Sequence, residues 1–560
     1  MISIQGKGVS VGVAAGPLCF YRRAQGDIRR YSVEDREAEW QRFKQAQAQA
    51  VEQLGALAEK TRRTVGDDMA ALFETHQLMA EDLDYEAAVQ EGICGEGRNA
   101  EAVVFDVSVR FAGMFAAMDN AYMRSRSADV KDVSRRILAA LSGVDAPGGI
   151  HSDVPVILAA DDLAPSETAQ LDKEKILALV TVNGSGTSHT AILARTLGIP
   201  AVTGAEDLLK SEYAGREVIV DGSTGAIYID ADEATRAQYL RKREEQLRRR
   251  RMLVQLKGKE SVTKDGQRVR ICCNIGSPGD LASVLENDGD GIGLFRSEYL
   301  YLGRDTLPSE EEQFEAYRSV LSGMNGREVV IRTLDVGADK QLDALGLPPE
   351  NNPAMGNRAI RICLDRPTLF RTQLRALYRA SVFGQLAIML PMITSVWEVR
   401  EVKSICASVC EELRREGIPY SDEVRLGIMI ETPAAAVISD RLAREVDFFS
   451  CGTNDLTQYT LACDRQNGSL ARYYEPSHPA VLRLIKLAAD NAHKNGIWIG
   501  VCGDLAADPE MAETFLSIGI DELSVPALGV LPLRDRVREI DLSACRETCL
   551  RALLGEEEPE

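Results

Sequence analysis

No apolar run in this 560-residue sequence is long enough to cross a bilayer; Val218 to Ile229 is too short, and Asp221 interrupts it. The amino terminus, Met1-Ile2-Ser3-Ile4-Gln5-Gly6-Lys7, lacks the charged region and apolar core of a secretory signal. A cytoplasmic protein with no membrane insertion is expected. A basic surplus is also missing: 65 Lys and Arg against 85 Asp and Glu give a net charge of −20, which argues against non-specific nucleic-acid binding. The run Arg248-Arg249-Arg250-Arg251 follows Glu244 and Glu245 and reads as part of a solvated linker helix. The twelve cysteines include no CxxC pair. Cys406 with Cys410, and Cys545 with Cys549, are four apart and read as packing on one helix face, so neither disulfide nor zinc chemistry is expected.

What is present is the balance of a globular chain, 45% apolar and 27% charged, at a length that calls for more than one domain. The first 22 residues read as two short strands around Gly12 and Gly16. From about Ser32 to Leu141 the pattern turns helical, with apolar stripes Leu54, Leu57, Ala58 and Val103, Val107, Phe111. β-like runs return at Val154–Ala159, Ile176–Val182, Val218–Val220 and Ile227–Ile229. This predicts a β/α domain from residues 1–22 plus 146–230, carrying an inserted helical subdomain at 23–145 and followed by a linker helix at 231–261. From residue 262 to 540, β-like and helical stretches alternate about eight times, which fits a (β/α)₈ TIM-like barrel, with a doubly wound open sheet as the competing architecture. Residues 541–560 read as a helix end and an acidic tail.

Two places carry chemistry. In Gly184-Ser185-Gly186-Thr187-Ser188-His189-Thr190, one of only five histidines sits in a glycine- and hydroxyl-rich loop before the apolar run Ala191-Ile192-Leu193-Ala194. Helix starts of this kind collect anions. An imidazole there can attack phosphorus and carry the group. By itself such a loop is more often a plain helix start, here capped by Thr187 and Ser188. The second place is the set of residues just past the barrel strands: Arg296 with Glu298, Arg332 and Asp335, Glu431, Asn454 with Asp455, and Cys502 with Asp504. Charged groups at several carboxyl strand ends read as a catalytic mouth. Glu431 and Asp455 are hard oxygen ligands suited to Mg²⁺. Arg296, Arg332 and Arg465 are forks matched to phosphate or carboxylate. Cys502 can be a proton donor, or a small buried filler.

Thr187-Ser188-His189-Thr190-Ala191-Ile192, Ile430-Glu431-Thr432-Pro433-Ala434-Ala435 and the run from Asp447 to Tyr459 closely resemble enzyme I of the bacterial phosphoenolpyruvate-dependent sugar phosphotransferase system. So do Pro165-Ser166-Glu167-Thr168-Ala169-Gln170 and, in the barrel, Asn352-Pro353 with Arg358. The resemblance runs from Met1 to about residue 540. It implies a swivelling phosphohistidine domain whose His189 takes the phosphoryl group of phosphoenolpyruvate. It implies Mg²⁺ on Glu431 and Asp455, substrate held by Arg296, Arg332, Asn454, Asp455 and Arg465, and Cys502 protonating the enolate. It further implies transfer to the phosphocarrier protein HPr docked on the helical insertion, with Arg126 near that transfer, and a homodimer through the barrel.

Some positions depart from the family pattern. Gly184-Ser185-Gly186 lacks the usual cation before the Thr-Ser-His, Ala338 stands for a second glycine, and Ala354 and Asn357 replace bulkier residues. Asp504 stands where glutamate is typical and shortens a contact next to the site. None removes a named catalytic group, so activity is expected. Pyruvate phosphate dikinase and phosphoenolpyruvate synthase share both domains but need a nucleotide-binding domain that the helical segment cannot supply. A nitrogen-branch paralogue serving a different carrier, or a regulatory protein that binds phosphoenolpyruvate, remains the alternative.

Overall fold

The structure is a computed structural model. It describes the chain except residues 22–27, 65–66, 118–120, 144–151, 153, 162, 164–166, 168–174, 183–189, 192–193, 195–197, 206–210, 303–305, 338–342, 349, 471 and 555–560. Two compact units divide at Arg250 and Arg251. Among the described residues, no helix is long and apolar enough to cross a membrane.

The first unit is built on an eight-stranded mixed sheet. In chain order its strands are β1 (Ile2–Gln5), β2 (Lys7–Ser10), β3 (Val13–Phe20), β4 (Val156–Ala160), β5 (Ile176–Thr181), β6 (Ala201–Thr203), β7 (Glu217–Asp221) and β8 (Ala226–Ile229). They lie in the order β1-β8-β7-β3-β4-β5-β6-β2. The first 22 residues thus hold three strands where the glycine pattern predicts two. Strand β6, three residues long behind Pro200, is too short to show a period in the sequence. β3, β4, β5 and β6 run parallel, while β7 and β8 form an antiparallel hairpin. Its turn, Asp221 to Gly225, is fixed by Asp221, which accepts from the Ser223 N–H and pairs with Lys242 at 2.6 Å.

Between the parallel neighbours β3 and β4 the described residues form five α-helices: α1 (Arg36–Thr64), α2 (Asp67–Ala80), α3 (Leu83–Gln90), α4 (Ala100–Ala116) and α5 (Ala121–Leu141). The stripes visible in the sequence form their shared core. Leu54, Leu57 and Ala58 pack with Phe73, Val103, Val107 and Ile137, and Phe111 covers the edge. Helix α6 (Glu233–Val254) is polar on all sides, as a solvated helix is.

The second unit is a closed parallel barrel of β9 (Arg270–Ile275), β10 (Ile292–Arg296), β11 (Glu328–Arg332), β12 (Gln385–Leu390), β13 (Arg425–Ile430), β14 (Phe448–Cys451), β15 (Trp498–Val501) and β16 (Glu522–Val525). Inward side chains, Leu294, Val330, Ala387, Met389, Met429 and Phe448, fill its interior. The barrel is therefore packed rather than open. Outward residues such as Ile331, Ile388, Phe449 and Ile499 join the surrounding helices in one large apolar cluster. The bottom is closed by a stack: Phe448 lies against Trp498 with ring centroids 4.6 Å apart, and the Arg270 guanidinium covers Trp498 at 4.2 Å.

Candidate active site

Parallel register sets the level of each strand end. Arg296 on β10 lies opposite Arg332 on β11, while Ile430, Cys451 and Val501 are aligned across β13, β14 and β15. One step further along each strand come Glu431, Gly452 and Cys502. The barrel thus brings to one mouth residues as far apart in sequence as Leu294 and Asp504, around a cavity of about 300 Å³. Arg296, Arg332, Glu431, Asn454, Asp455, Arg465 and Cys502 all line it, as do Glu298, Asp335 and Asp504.

Local sequence explains how each side chain is presented. After Glu431, Thr432 caps a short helix by accepting from the Ala435 N–H at 3.1 Å, and Pro433 occupies the first helical position. The Thr432 hydroxyl also donates to the Ile393 carbonyl. The chain therefore turns immediately behind the carboxylate. Past β14, Gly452 leads into the helix Thr453–Leu461, so Asn454 and Asp455 stand in its first turn. A Cβ on Gly452 would meet Glu431 Oε2 at 2.8 Å, and one on Gly503 would meet Thr453 Oγ1 at 1.9 Å. Both glycines are needed for close approach. Asn454 and Asp504 hold each other: Asn454 Nδ2 donates to Asp504 Oδ2 at 3.0 Å, and the Asp504 N–H returns to Asn454 Oδ1.

The arginines are held in a buried ionic lattice. Arg332 donates to Glu298, and its Nη1 pairs with Asp335 at 2.8 Å. Arg358 reaches the other oxygen of Asp335 at 2.9 Å and lies 3.8 Å from Asp455 Oδ1. Arg465 also stands 3.8 Å from that oxygen. Arg332 and Arg358, both buried, are thus paired, as burial demands. Sequence reading takes Arg358 as a motif residue only, without a role in the site. It follows no barrel strand, and only the fold carries it to Asp335.

Glu431 and Asp455 stand out by what they leave open. Glu431 Oε1 accepts from the Met392 N–H at 2.6 Å, but its Oε2, though buried, has no hydrogen bond among the described residues, and neither has Asp455 Oδ1. Burial first, and then the charges of Asp455 and Asp335, push the Glu431 carboxyl up from its ordinary range. Two buried carboxylate oxygens left without donors are suited to a hard divalent cation. The cavity thus combines an oxygen pair for a cation with guanidinium groups for an anion. Cys502 is buried, its thiol facing the Cys451 carbonyl at 3.6 Å. Burial pushes it up to about 11, against smaller opposing effects from Ser450 and Arg332. It is a thiol, not a thiolate, at neutral pH.

In the first unit, His189 lies outside the described residues, with Gly184, Ser185, Gly186, Thr187 and Ser188. Ala338 and most of the Pro165–Gln170 motif lie outside them too. The described chain leaves β5 at Thr181 and is next helical at Thr190 and Ala191, both buried. Among the helices, Arg126 pairs with Asp129 at 3.2 Å, and Asp129 lies 3.3 Å from the fully buried His76.

Comparison with known proteins adds three family matches along the chain. The profile of the PEP-utilising enzyme, N-terminal, matches residues 5–126. That of the PEP-utilising enzyme, mobile domain, matches 153–225, and that of the PEP-utilising enzyme, PEP-binding domain, matches 250–542. The chain is 43% identical to the phosphoenolpyruvate-protein phosphotransferase of Staphylococcus carnosus over 98% of this chain and 96% of that one. It is 43% identical to the protein of the same name from Bacillus subtilis, over 96% and 95% of the two chains. The same identity to the Geobacillus stearothermophilus protein extends over 99% and 96%.

Proposed function

The chain belongs to the phosphoenolpyruvate-protein phosphotransferases, PEP-utilising enzymes, and from that premise we propose that it opens a sugar phosphotransferase system. Phosphoenolpyruvate is the donor, His189 the first acceptor, a histidine of the carrier HPr the second, and pyruvate the product. The observation that carries this reading is the pairing, in one cavity, of two donor-less carboxylate oxygens with three arginines. A small polyanion bridged to a cation satisfies both sets at once.

In the proposed cycle the guanidinium groups of Arg296, Arg332 and Arg465, with the Asn454 amide, bind and orient the phosphate and carboxylate of the substrate. Among the described residues Arg296 has no ion pair, so its charge is available to an entering anion. Arg332 is already fixed by Glu298 and Asp335, so its direction is set before substrate arrives. Glu431 and Asp455 would hold Mg²⁺, which when bound neutralises charge on the transferring phosphoryl group. The His189 nitrogen forms a bond to phosphorus as the bond from phosphorus to the enol oxygen breaks. The enolate so released takes a proton at its methylene carbon from the Cys502 thiol, and the thiolate is reprotonated from solvent. A thiol that stays protonated at neutral pH suits that role.

The finer readings rest on the family. They are docking of HPr on the helical segment 23–145, with Arg126 near the transfer, homodimerisation through residues 262–540, and a cytoplasmic location. The cycle also asks the phosphohistidine domain, residues 1–22 plus 146–230, to visit the barrel mouth and then the carrier. The test is incubation with Mg²⁺ and labelled phosphoenolpyruvate, followed by HPr. Acid-labile label should appear on the wild type, move to HPr, and be absent from His189→Ala. Label of the same kind and stoichiometry on His189→Ala would remove His189 from the mechanism. Label that never leaves the enzyme would point to another carrier.

A further inference from the structure

Away from the barrel mouth, three metal-ligating side chains converge on the helical shell. Glu513 stands on the helix Ala512–Ile518, and Cys545 and Cys549 stand on the helix Leu542–Leu554. Their ligand atoms all lie within 4.8 Å of one another. Cys549 Sγ is 3.6 Å from Glu513 Oε1, and Cys545 Sγ is 4.0 Å from Ser517 Oγ. Each helix offers a pair four residues apart, Glu513 with Ser517 and Cys545 with Cys549, so each pair projects from one helix face. The other oxygen of Glu513 is held by Arg536 at 3.1 Å, which fixes the carboxylate with Oε1 toward the thiols. Glu513 and both cysteines are half-buried: reachable by an ion from solvent, yet not fully solvated.

We propose that Glu513, Cys545 and Cys549 form a binding site for one thiophilic divalent cation, with Zn²⁺ as the fitting ion. Zinc–sulfur bonds of about 2.3 Å and zinc–oxygen bonds of about 2.0–2.2 Å put neighbouring ligands of a tetrahedron roughly 3.5–3.8 Å apart. The Cys549–Glu513 separation of 3.6 Å already has that length. Two sulfur ligands select against Mg²⁺, so this site and the barrel mouth do not compete for one ion. The fourth position falls to Ser517 Oγ or a water. Charge closes as well. Binding releases the two thiol protons to solvent, leaving three negative ligands around a dication, and Arg536 balances the remaining negative charge. The ion would fasten the helix Leu542–Leu554 to the helix Ala512–Ile518. None of these residues lines the barrel cavity, and the inference does not rest on the reaction proposed above.

The four-residue spacing of Cys545 and Cys549 along one helix cannot show this site. Cys545 and Cys549 alone read as packing, because their third partner is more than thirty residues upstream.

The experiment uses the full-length, reduced chain, stripped of metal with a chelator. It is titrated with Zn²⁺ against a chromophoric competitor, and separately with Co²⁺ to record the visible spectrum of a tetrahedral thiolate site. One equivalent should bind with sub-micromolar affinity and give that spectrum. Loss of an outer partner of a metal ligand costs about 10–100-fold, so a Cys545→Ser/Cys549→Ser variant should bind at least roughly 100-fold more weakly. Glu513→Gln, which keeps the side-chain shape, should weaken binding at least roughly tenfold and covers the case in which the double variant folds poorly. Without metal the melting temperatures should match. With Zn²⁺ only the wild type should gain. Absence of stoichiometric binding by the wild type, or binding undiminished in both variants, would overturn the proposal.

Discussion

The backbone N–H of Met392 donates to Oε1 of Glu431 at 2.6 Å from a left-handed conformation, φ 57°. A side chain with a Cβ avoids that region, and holding it there costs about 1–3 kcal/mol. The strain is tolerated because Met392 is buried in the shell around the strand end. Its effect is to anchor one oxygen of Glu431 and leave the other for the cavity. Glu431→Gln keeps an acceptor for Met392 but loses the charge. It should fold normally and lose Mg²⁺-dependent phosphorylation by more than about 100-fold, the scale at which even outer partners of a metal matter. Labelled phosphoenolpyruvate and a Mg²⁺ titration measure both.

Arg358→Ala removes one partner from a buried ionic lattice and leaves Asp335 and Asp455 short of a cation. Breaking such a pair costs about 3–5 kcal/mol. Chemical denaturation should show a loss of that order. A variant as stable as the wild type would mean that solvent reaches Asp335.

Gly503→Ala places a methyl group 1.9 Å from Thr453 Oγ1 and 2.7 Å from the Thr453 nitrogen. The start of the helix that carries Asn454 and Asp455 must then shift. Overpacking of this kind costs about 1–3 kcal/mol. The larger effect should be on chemistry, because displacement of a bound group by about 1 Å costs on the order of 100-fold. Single-turnover phosphorylation separates that loss from the stability change.

Burial pushes the thiols of Cys502 and Cys406 up to about 11 and that of Cys273 up to about 12, from an ordinary value of 9.0. Below about pH 9 both the folded and the unfolded chain hold these protons, and stability is undiminished. Above it the unfolded chain releases protons that the folded chain retains, so stability falls as pH rises toward 11. Each thiol contributes about 1.4 kcal/mol per pH unit within that window. Thermal melts between pH 8 and 11, at fixed ionic strength, should decline from about pH 9. A flat profile would place these thiols in contact with water.

Much of the barrel is legible from pattern alone. Runs such as Phe448–Cys451 and Trp498–Val501 are bounded as the sequence predicts, because a buried strand is a short, mostly apolar run. Of the site, Glu431, Asn454, Asp455 and Cys502 are visible because they follow such runs directly. β6 is not visible: three residues carry no period, and it is a strand only because β5 and β2 flank it. Arg358 escapes for a related reason. It stands in a loop-to-helix stretch, before Ala359 at φ 52°, where no pattern announces an inward side chain.

The sequence by itself determined which residues carry charge at the strand ends, that a long helical stretch separates β3 from β4, and that His189 stands in a glycine- and hydroxyl-rich motif. These are local properties of composition and period. Only the tertiary structure decided that β16 closes onto β9, that Arg358 reaches Asp335, and that Glu513 meets Cys545 and Cys549. Those contacts join residues far apart along the chain. Their geometry comes from parallel register and helix packing, and no window of sequence contains both partners.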